Sequence, residues 1–96
     1  MAIVGITHKV TLEEKSKEFG ALAEFRGALY LAWTGTDQRI NLIPSYNGGQ
    51  TWDEAQKFTS QEKSIDGPFL LADGTRLLIG WTGADERLNV ANVDVN

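Results

Sequence analysis

The sequence has no cysteine and only one histidine, His8, and these absences exclude several kinds of site. Without cysteine there is no disulfide framework, no thiolate metal site and no cysteine nucleophile, and the redox compartment stays open. One histidine is too few for the histidine clusters that bind zinc. No glycine-rich phosphate cradle leads from a strand into a helix. We therefore expect no metal and no cofactor.

Basic residues are also scarce. Nine Lys and Arg residues stand against 13 Asp and Glu residues, which gives a net charge of −4. This balance argues against a nucleic-acid partner and against an anionic membrane surface, because both require a basic face. The longest apolar runs are far shorter than a membrane span, and the N-terminus has no basic region before an apolar core. We expect no signal peptide, and the cellular location stays open.

An internal repeat divides the chain into residues 1–48 and 49–96. Shifting the sequence by 48 positions gives 13 identities. The identical pairs are Lys9/Lys57, Thr11/Thr59, Glu14/Glu62, Lys15/Lys63, Ser16/Ser64, Leu22/Leu70, Leu29/Leu77, Trp33/Trp81, Thr34/Thr82, Gly35/Gly83, Asp37/Asp85, Arg39/Arg87 and Asn41/Asn89. The two halves therefore share one design, and repeats of this length are typical of arrays and propellers.

Each repeat predicts short antiparallel strands that are joined by turn signals such as Asp73-Gly74. The first strand is the most apolar and the last the most polar, as in a blade that runs from a buried inner strand to a wetter outer one. The segments 11–19 and 59–67 are predicted as loops, because the second contains Asp66-Gly67-Pro68 and cannot continue a helix. The predicted strands are 20–25, 28–34, 39–45 and 51–59 in the first repeat, and 69–72, 76–82 and 87–93 in the second.

Residues 45–52, Ser-Tyr-Asn-Gly-Gly-Gln-Thr-Trp, resemble the Asp-box of sialidase-like propellers, with Asn47 where Asp is usual. Residues 29–37 are similar to tandem repeats of bacterial Asp-box propellers. The resemblance implies an all-β propeller with two four-stranded antiparallel blades per chain. The box itself is structural: its glycines take positive φ, and it lies away from the ligand face in that family.

The second repeat has neither the box nor a fourth strand, while residues 3–10 align with 51–58 of the first repeat. Two blades cannot close a ring, and an unpaired third strand is an exposed edge. We therefore expect residues 3–10 to complete a neighbour's blade by pairing antiparallel with 87–93. By analogy with two-blade propeller lectins, the expected assembly is a homotrimer of six blades. A homotetramer of eight blades is the second candidate.

Polar side chains gather in the predicted loops and turns of both repeats. They mix carboxylate, guanidinium, ammonium and hydroxyl groups with a nearby indole, a combination that suits sugar hydroxyls and a sugar's apolar face. Two structural readings remain open: each Asp can pair with its Arg across a turn, and each Trp can be a core residue between blades. The candidate ligand-binding residues are Trp33, Asp37, Arg39, Lys15 and Ser16 in the first repeat, and Trp81, Asp85, Arg87, Lys63 and Ser64 in the second.

Three functions remain in view. The first is a non-enzymatic, lectin-like propeller with one shallow carbohydrate site per blade. The alternative is a ligand-free engineered or excised propeller fragment that self-assembles into a symmetric ring. The weakest is a sialidase-like glycoside hydrolase, which needs an arginine triad, a tyrosine nucleophile and an acid/base carboxylate. With four arginines and two tyrosines, and Tyr30 in mid-strand, the chain offers few groups for such a centre.

Overall fold

The computed structural model describes residues 1–95 and contains two antiparallel β-sheets. The first sheet has the strand order β1-β2-β3-β4, and the second sheet has the order β5-β6-β7. The all-β prediction is confirmed at this level. Within the described range no helix is long and apolar enough to cross a lipid bilayer. The strands are β1 (Ala21–Phe25), β2 (Ala28–Thr34), β3 (Arg39–Ser45), β4 (Phe58–Lys63), β5 (Phe69–Ala72), β6 (Leu77–Thr82) and β7 (Leu88–Asn92), with one 3-10 turn at Glu54–Gln56.

The sequence repeat is also a structural repeat. Ala21 lies opposite Ala32 in the first sheet, and Phe69 lies opposite Gly80 in the second, so the two hairpins share one register at an offset of 48. β1 and β5 lie side by side. The three predicted strands that open each repeat are therefore confirmed to within one residue at either end.

The core lies between the two sheets. Ala32, Ile40 and Leu42 of the first sheet pack against Ile79 and Trp81 of the second. Side chains alternate between the faces of a strand, so this contact uses one face of each sheet. Burying a large apolar side chain contributes about 1.5–3 kcal/mol, so the contact between the sheets is a main source of stability. A second cluster, formed by Phe25, Ala28, Tyr30 and Leu77, extends the core toward the β1–β2 hairpin.

The turn between β5 and β6 is held by one carboxylate. Asp73 Oδ1 accepts hydrogen bonds from the backbone nitrogens of Thr75 and Arg76 at 3.1 and 2.8 Å. Its Oδ2 pairs with the Arg76 guanidinium at 2.9 Å. The pKa of this carboxyl is held well below its usual range, mainly by the hydrogen bonds from Arg76 and to a smaller extent by those from Thr75. Asp73-Gly74 is thus the hairpin turn that its sequence predicts.

The fourth strand is not where the sequence placed it. β4 runs over Phe58–Lys63 rather than 51–59, so the prediction of a loop at 59–67 is wrong for its first five residues. The cause is local: Asp53 Oδ1 accepts from Ala55 N at 3.1 Å and caps the 3-10 turn, which ends the extended chain before β4 begins. The segment 11–19 contains no helix or strand, as predicted.

The predicted burial gradient is also wrong. β2 and β3 are the most buried strands, whereas β1 alternates between half-buried and exposed positions as far as Phe25, which is buried. β1 is an edge strand, and one of its faces is uncovered in the single chain. β4 is exposed at five of its six positions, so only the polar outer strand fits the prediction. Ahead of β1, residues 1–10 form no strand and are exposed, and the predicted strand exchange stays a prediction.

The Asp-box-like turn connects β3 to the 3-10 turn. Asn47 Oδ1 accepts from Ser45 Oγ and from Thr51 N, both at 3.0 Å, and Asn47 Nδ2 donates to Thr51 Oγ1 at 2.7 Å. Ser45 Oγ in turn accepts from Gly49 N at 2.9 Å. Gly48 and Gly49 take φ of 73° and 90°, which side chains rarely adopt. The asparagine therefore forms the hydrogen bonds that make the box a rigid turn.

Asn47→Ala is expected to destabilise the fold by about 1–2 kcal/mol, because it removes the acceptor of two hydrogen bonds and the donor of a third. Asn47→Asp is the matched control and should stay within about 0.5 kcal/mol, since its carboxylate keeps both accepted bonds and Thr51 can donate the third. Thermal and denaturant melts measure both. Equal stability of the alanine variant and the wild type would contradict a structural role for the box.

Candidate functional site

The candidate site lies at the turns between β2 and β3 and between β6 and β7. Gly35 N donates to Arg39 O at 2.9 Å, and Gly83 N donates to Arg87 O at the same distance. The two turns therefore have the same backbone, as the repeated Trp-Thr-Gly motif predicts. The Trp and Thr of each motif end a buried strand, and the Gly begins the turn.

The glycine of each turn leaves room for polar neighbours. A side chain at Gly35 would come within 3.0 Å of Asp37 Oδ1 and Asn41 Nδ2. A side chain at Gly83 would likewise come within 3.0 Å of Asp85 Oδ1. A side chain at either position would therefore require the neighbouring polar side chains to shift.

The two aspartates close the turns. Asp37 Oδ1 accepts from Arg39 N at 3.0 Å, and Asp85 Oδ1 accepts from Arg87 N at 3.1 Å. Asp85 Oδ2 also lies 3.7 Å from Arg87 Nε in an exposed ion pair, which adds little stability in water. One carboxylate oxygen of each aspartate is therefore engaged by the backbone of its turn, and among residues 1–95 only the second of these turns also has the side-chain pair of Asp with Arg.

Lys63 lies beside the first turn, although the sequence places it in the second repeat with Asp85 and Arg87. Arg39 pairs with Lys63 across β3 and β4, and Lys63 Nζ donates to Asp37 O at 3.2 Å. The first turn therefore gathers an aspartate, an arginine and a lysine. Lys15, the counterpart of Lys63, is exposed and joins neither turn cluster in this chain. The grouping was wrong because β4 ends its own sheet before the chain enters the second.

The two candidate serines have backbone partners. Ser64 is fully buried, its Oγ donates to Asp66 O, and its N donates to Gln38 O at 2.9 Å. Ser16 Oγ donates to Glu18 O in the same local pattern, but Ser16 is exposed. Ser64 therefore helps to fix the passage between the sheets, and its hydroxyl does not face solvent.

The two tryptophans are buried, and this removes them as open stacking platforms. Trp81 is 8% exposed and packs with Ala32 and Ile40 between the sheets. Trp33 is 3% exposed, with Lys57 Nζ 5.7 Å from its ring centroid. In the single chain both rings are therefore largely enclosed, and Trp81 reaches only the wall of a cleft between the sheets.

Two features were missed from the sequence. Glu14 Oε1 pairs with Lys57 Nζ at 2.7 Å. The available signal was that both residues belong to identical pairs of the repeat, Glu14/Glu62 and Lys9/Lys57. The second feature is an open cleft of about 490 Å³ between the sheets. Burial, followed by the nearby Tyr46, raises the pKa of Tyr30 at its wall. Other residues that line the cleft include Leu42, Phe58, Trp81 and Val93.

No protein-family model, curated protein or solved structure matches the chain. The chemistry of the site is therefore argued from its groups alone. Among residues 1–95, no three His, Cys, Asp or Glu side chains gather as metal ligands. Both turns present charged donors and acceptors on a shallow surface, which is suited to hydrogen bonding with a polar ligand.

Proposed function

We propose that the chain is a two-blade unit of a β-propeller that closes its ring by homo-oligomerisation. A homotrimer is the favoured assembly, and a homotetramer is the second candidate. The support is the repeated unit: two sheets of one register pack face to face, with β1 beside β5. Two such sheets leave outer faces without a partner, so a ring of copies would bury them. The Asp-box-like turn adds support through its sequence.

The function that the geometry supports best is non-enzymatic carbohydrate binding, with one shallow, lectin-like site per blade. The observation that carries it is the recurrence of Arg39 and Arg87 beside an aspartate in identical turns. Arg87 is exposed, and Lys63 adds an ammonium group beside the first turn. Each site would be weak, because neither tryptophan is free to stack, and a ring would gain affinity through multivalency.

Glycan-array binding of the native oligomer tests this proposal. Arg39→Ala with Arg87→Ala is expected to abolish binding with little change in the melting temperature, because the Arg87 side chain is exposed and Arg39 is only half-buried. Arg26→Ala is the matched control, since Arg26 lies in the β1–β2 turn at the opposite end of β2. Binding that survives loss of both turn arginines, or no binding by the wild type at high avidity, would contradict the proposal.

The second candidate is a ligand-free engineered or excised fragment that only self-assembles. It is favoured by the burial of Trp33 and Trp81 and by the backbone role of Asp37 and Asp85. A wild-type oligomer of defined mass that binds no glycan would support it. Catalysis of the sialidase type has less support, because burial raises the pKa of Tyr30, opposite to what a tyrosine nucleophile needs.

A further inference from the structure

The second sheet lacks the neighbour that its counterpart strand has in the first sheet. β3 is bordered by β4, with Asn41 opposite Thr59 and Leu42 opposite Phe58. β7 is the outer strand of the second sheet within residues 1–95. The counterparts of β4 at an offset of 48 are residues 10–15, which form no strand in this chain. The chain therefore has a segment, residues 10–15, whose counterpart is a strand but which joins no sheet. Within its described part it also has a sheet edge, β7, without the neighbouring strand that its counterpart has.

One side-chain pair shows what the edge strand lacks. Asn41 Nδ2 donates to Arg39 O at 3.2 Å, and Asn41 Oδ1 accepts from Thr59 Oγ1 at 2.6 Å. Asn89 makes the first of these bonds, to Arg87 O at 3.0 Å. In the described part of the chain its Oδ1 has no hydroxyl partner. The counterpart of Thr59 is Thr11, one of the residues that the two repeats share.

An apolar face of the second sheet is also uncovered. Ile40 and Leu42 are 2% and 8% exposed, because Ile79 and Trp81 pack on them. Their counterparts show the reverse, since Leu88 is 82% exposed and Val90 is 67% exposed. By the same offset, the counterparts of Ile79 and Trp81 are Leu31 and Trp33; Leu31 is half-buried in this chain, whereas Trp33 already lies under Lys57.

The chain cannot cover this face with its own first sheet. Ala32 packs toward the second sheet, so Trp33, the next residue along β2, points to the opposite face. Lys57 lies over Trp33 and pairs with Glu14, and Lys17 N donates to Thr34 O at 2.8 Å. The segment 14–17 is therefore held on the side of the first sheet away from β7.

We propose a head-to-tail interface between two copies of this chain, in which residues 10–15 of one copy extend the second sheet of the other beside β7. The same copy's first sheet covers Leu88 and Val90. The proposal rests on the proposed two-blade architecture, and it places the exchanged strand seven residues later than the alignment of 3–10 had it. A head-to-tail contact uses two different surfaces, so its repetition closes a ring when the rotation allows.

The contacts across this interface are fixed by those within the chain. Thr11 of the second copy donates to Asn89, as Thr59 does to Asn41. Lys9 of the second copy pairs with Glu62 and lies over Trp81, as Lys57 does with Glu14 and Trp33.

Paired cysteines test the register, and a chain without native cysteine makes any disulfide unambiguous. Directly opposed strand residues have Cα atoms about 4.5–5.5 Å apart, within the range that a disulfide bridges. The native oligomer of a Thr11→Cys and Asn89→Cys variant is expected to oxidise to covalent species at multiples of 10.6 kDa under denaturing conditions. Asn41→Cys with Thr59→Cys is the matched control and should give a disulfide within one chain only.

Every alternative outcome overturns the proposal. A link within one chain between positions 11 and 89 would mean that the segment folds onto its own second sheet. No link, or efficient linking of Ile6→Cys with Asn89→Cys instead, would contradict the register. Leu88→Glu gives an independent reading and should dissociate the oligomer, whereas Ile3→Glu should not, because the counterpart of Ile3 is the exposed Thr51. An unchanged mass of the Leu88→Glu variant by light scattering would also overturn it, and glycan binding plays no part in either test.

Discussion

Trp81→Ala is expected to lower the free energy of unfolding by about 3–5 kcal/mol, the usual cost of removing a buried large aromatic side chain. Trp81 packs with Ile79, Ala32 and Leu42 where the two sheets meet, so its loss opens a cavity in the main core. Trp33→Ala should cost a similar amount, because Trp33 is at least as buried. For a small domain whose total stability is about 5–15 kcal/mol, either loss is severe.

Thermal and denaturant melts measure these losses, and glycan binding of the same variants separates the two roles of the rings. A stacking platform would behave in the opposite way, with almost unchanged stability and abolished binding. Tyr46→Ala is a useful control, since Tyr46 is a large aromatic residue that remains mostly exposed. A melting temperature that drops no further for Trp81→Ala than for Tyr46→Ala would refute the core assignment.

The strands of the two hairpins could be predicted because their signals are local. Asp73-Gly74 marks a hairpin turn, and the apolar runs on either side of it mark the strands. Such a run is continuous where both faces of a strand are buried, and it alternates with polar residues where only one face is buried. The Trp-Thr-Gly repeat fixed the second turn of each sheet in the same way. The roles of Asp37 and Asp85 stayed open between pairing and binding, because both need the same residue types at the same spacing.

The position of β4 could not be predicted from its own residues. Phe58–Lys63 is polar and mostly exposed, so it has no apolar period that marks where the strand begins after the glycine-rich turn. Its extended form depends on pairing with β3, a tertiary effect that overrides local propensity. The cover over Trp33 likewise includes a distant residue, Lys57, which lies 24 positions away in sequence.

Removing residues 2–15 is expected to leave aggregate or unfolded chain in place of the oligomer. The deletion takes away all six residues that the proposed interface pairs with β7, with backbone hydrogen bonds worth about 1 kcal/mol each. It also removes Glu14, the partner of Lys57. The bare edge of β7 and the exposed Leu88 and Val90 would then be free for unspecific pairing.

Removing only residues 2–8 is the matched deletion, and it should preserve the oligomer with a smaller fall in melting temperature. It takes away most of the strand that the sequence alignment proposed at 3–10 but spares 10–15, so the two deletions separate the two registers. Light scattering gives the mass and thermal melts give the stability of each. If the shorter deletion already dissolves the oligomer, the strand lies at 3–10. If the longer deletion runs at the mass of the wild type with an unchanged melting temperature, the N-terminal segment takes no part in closing the ring.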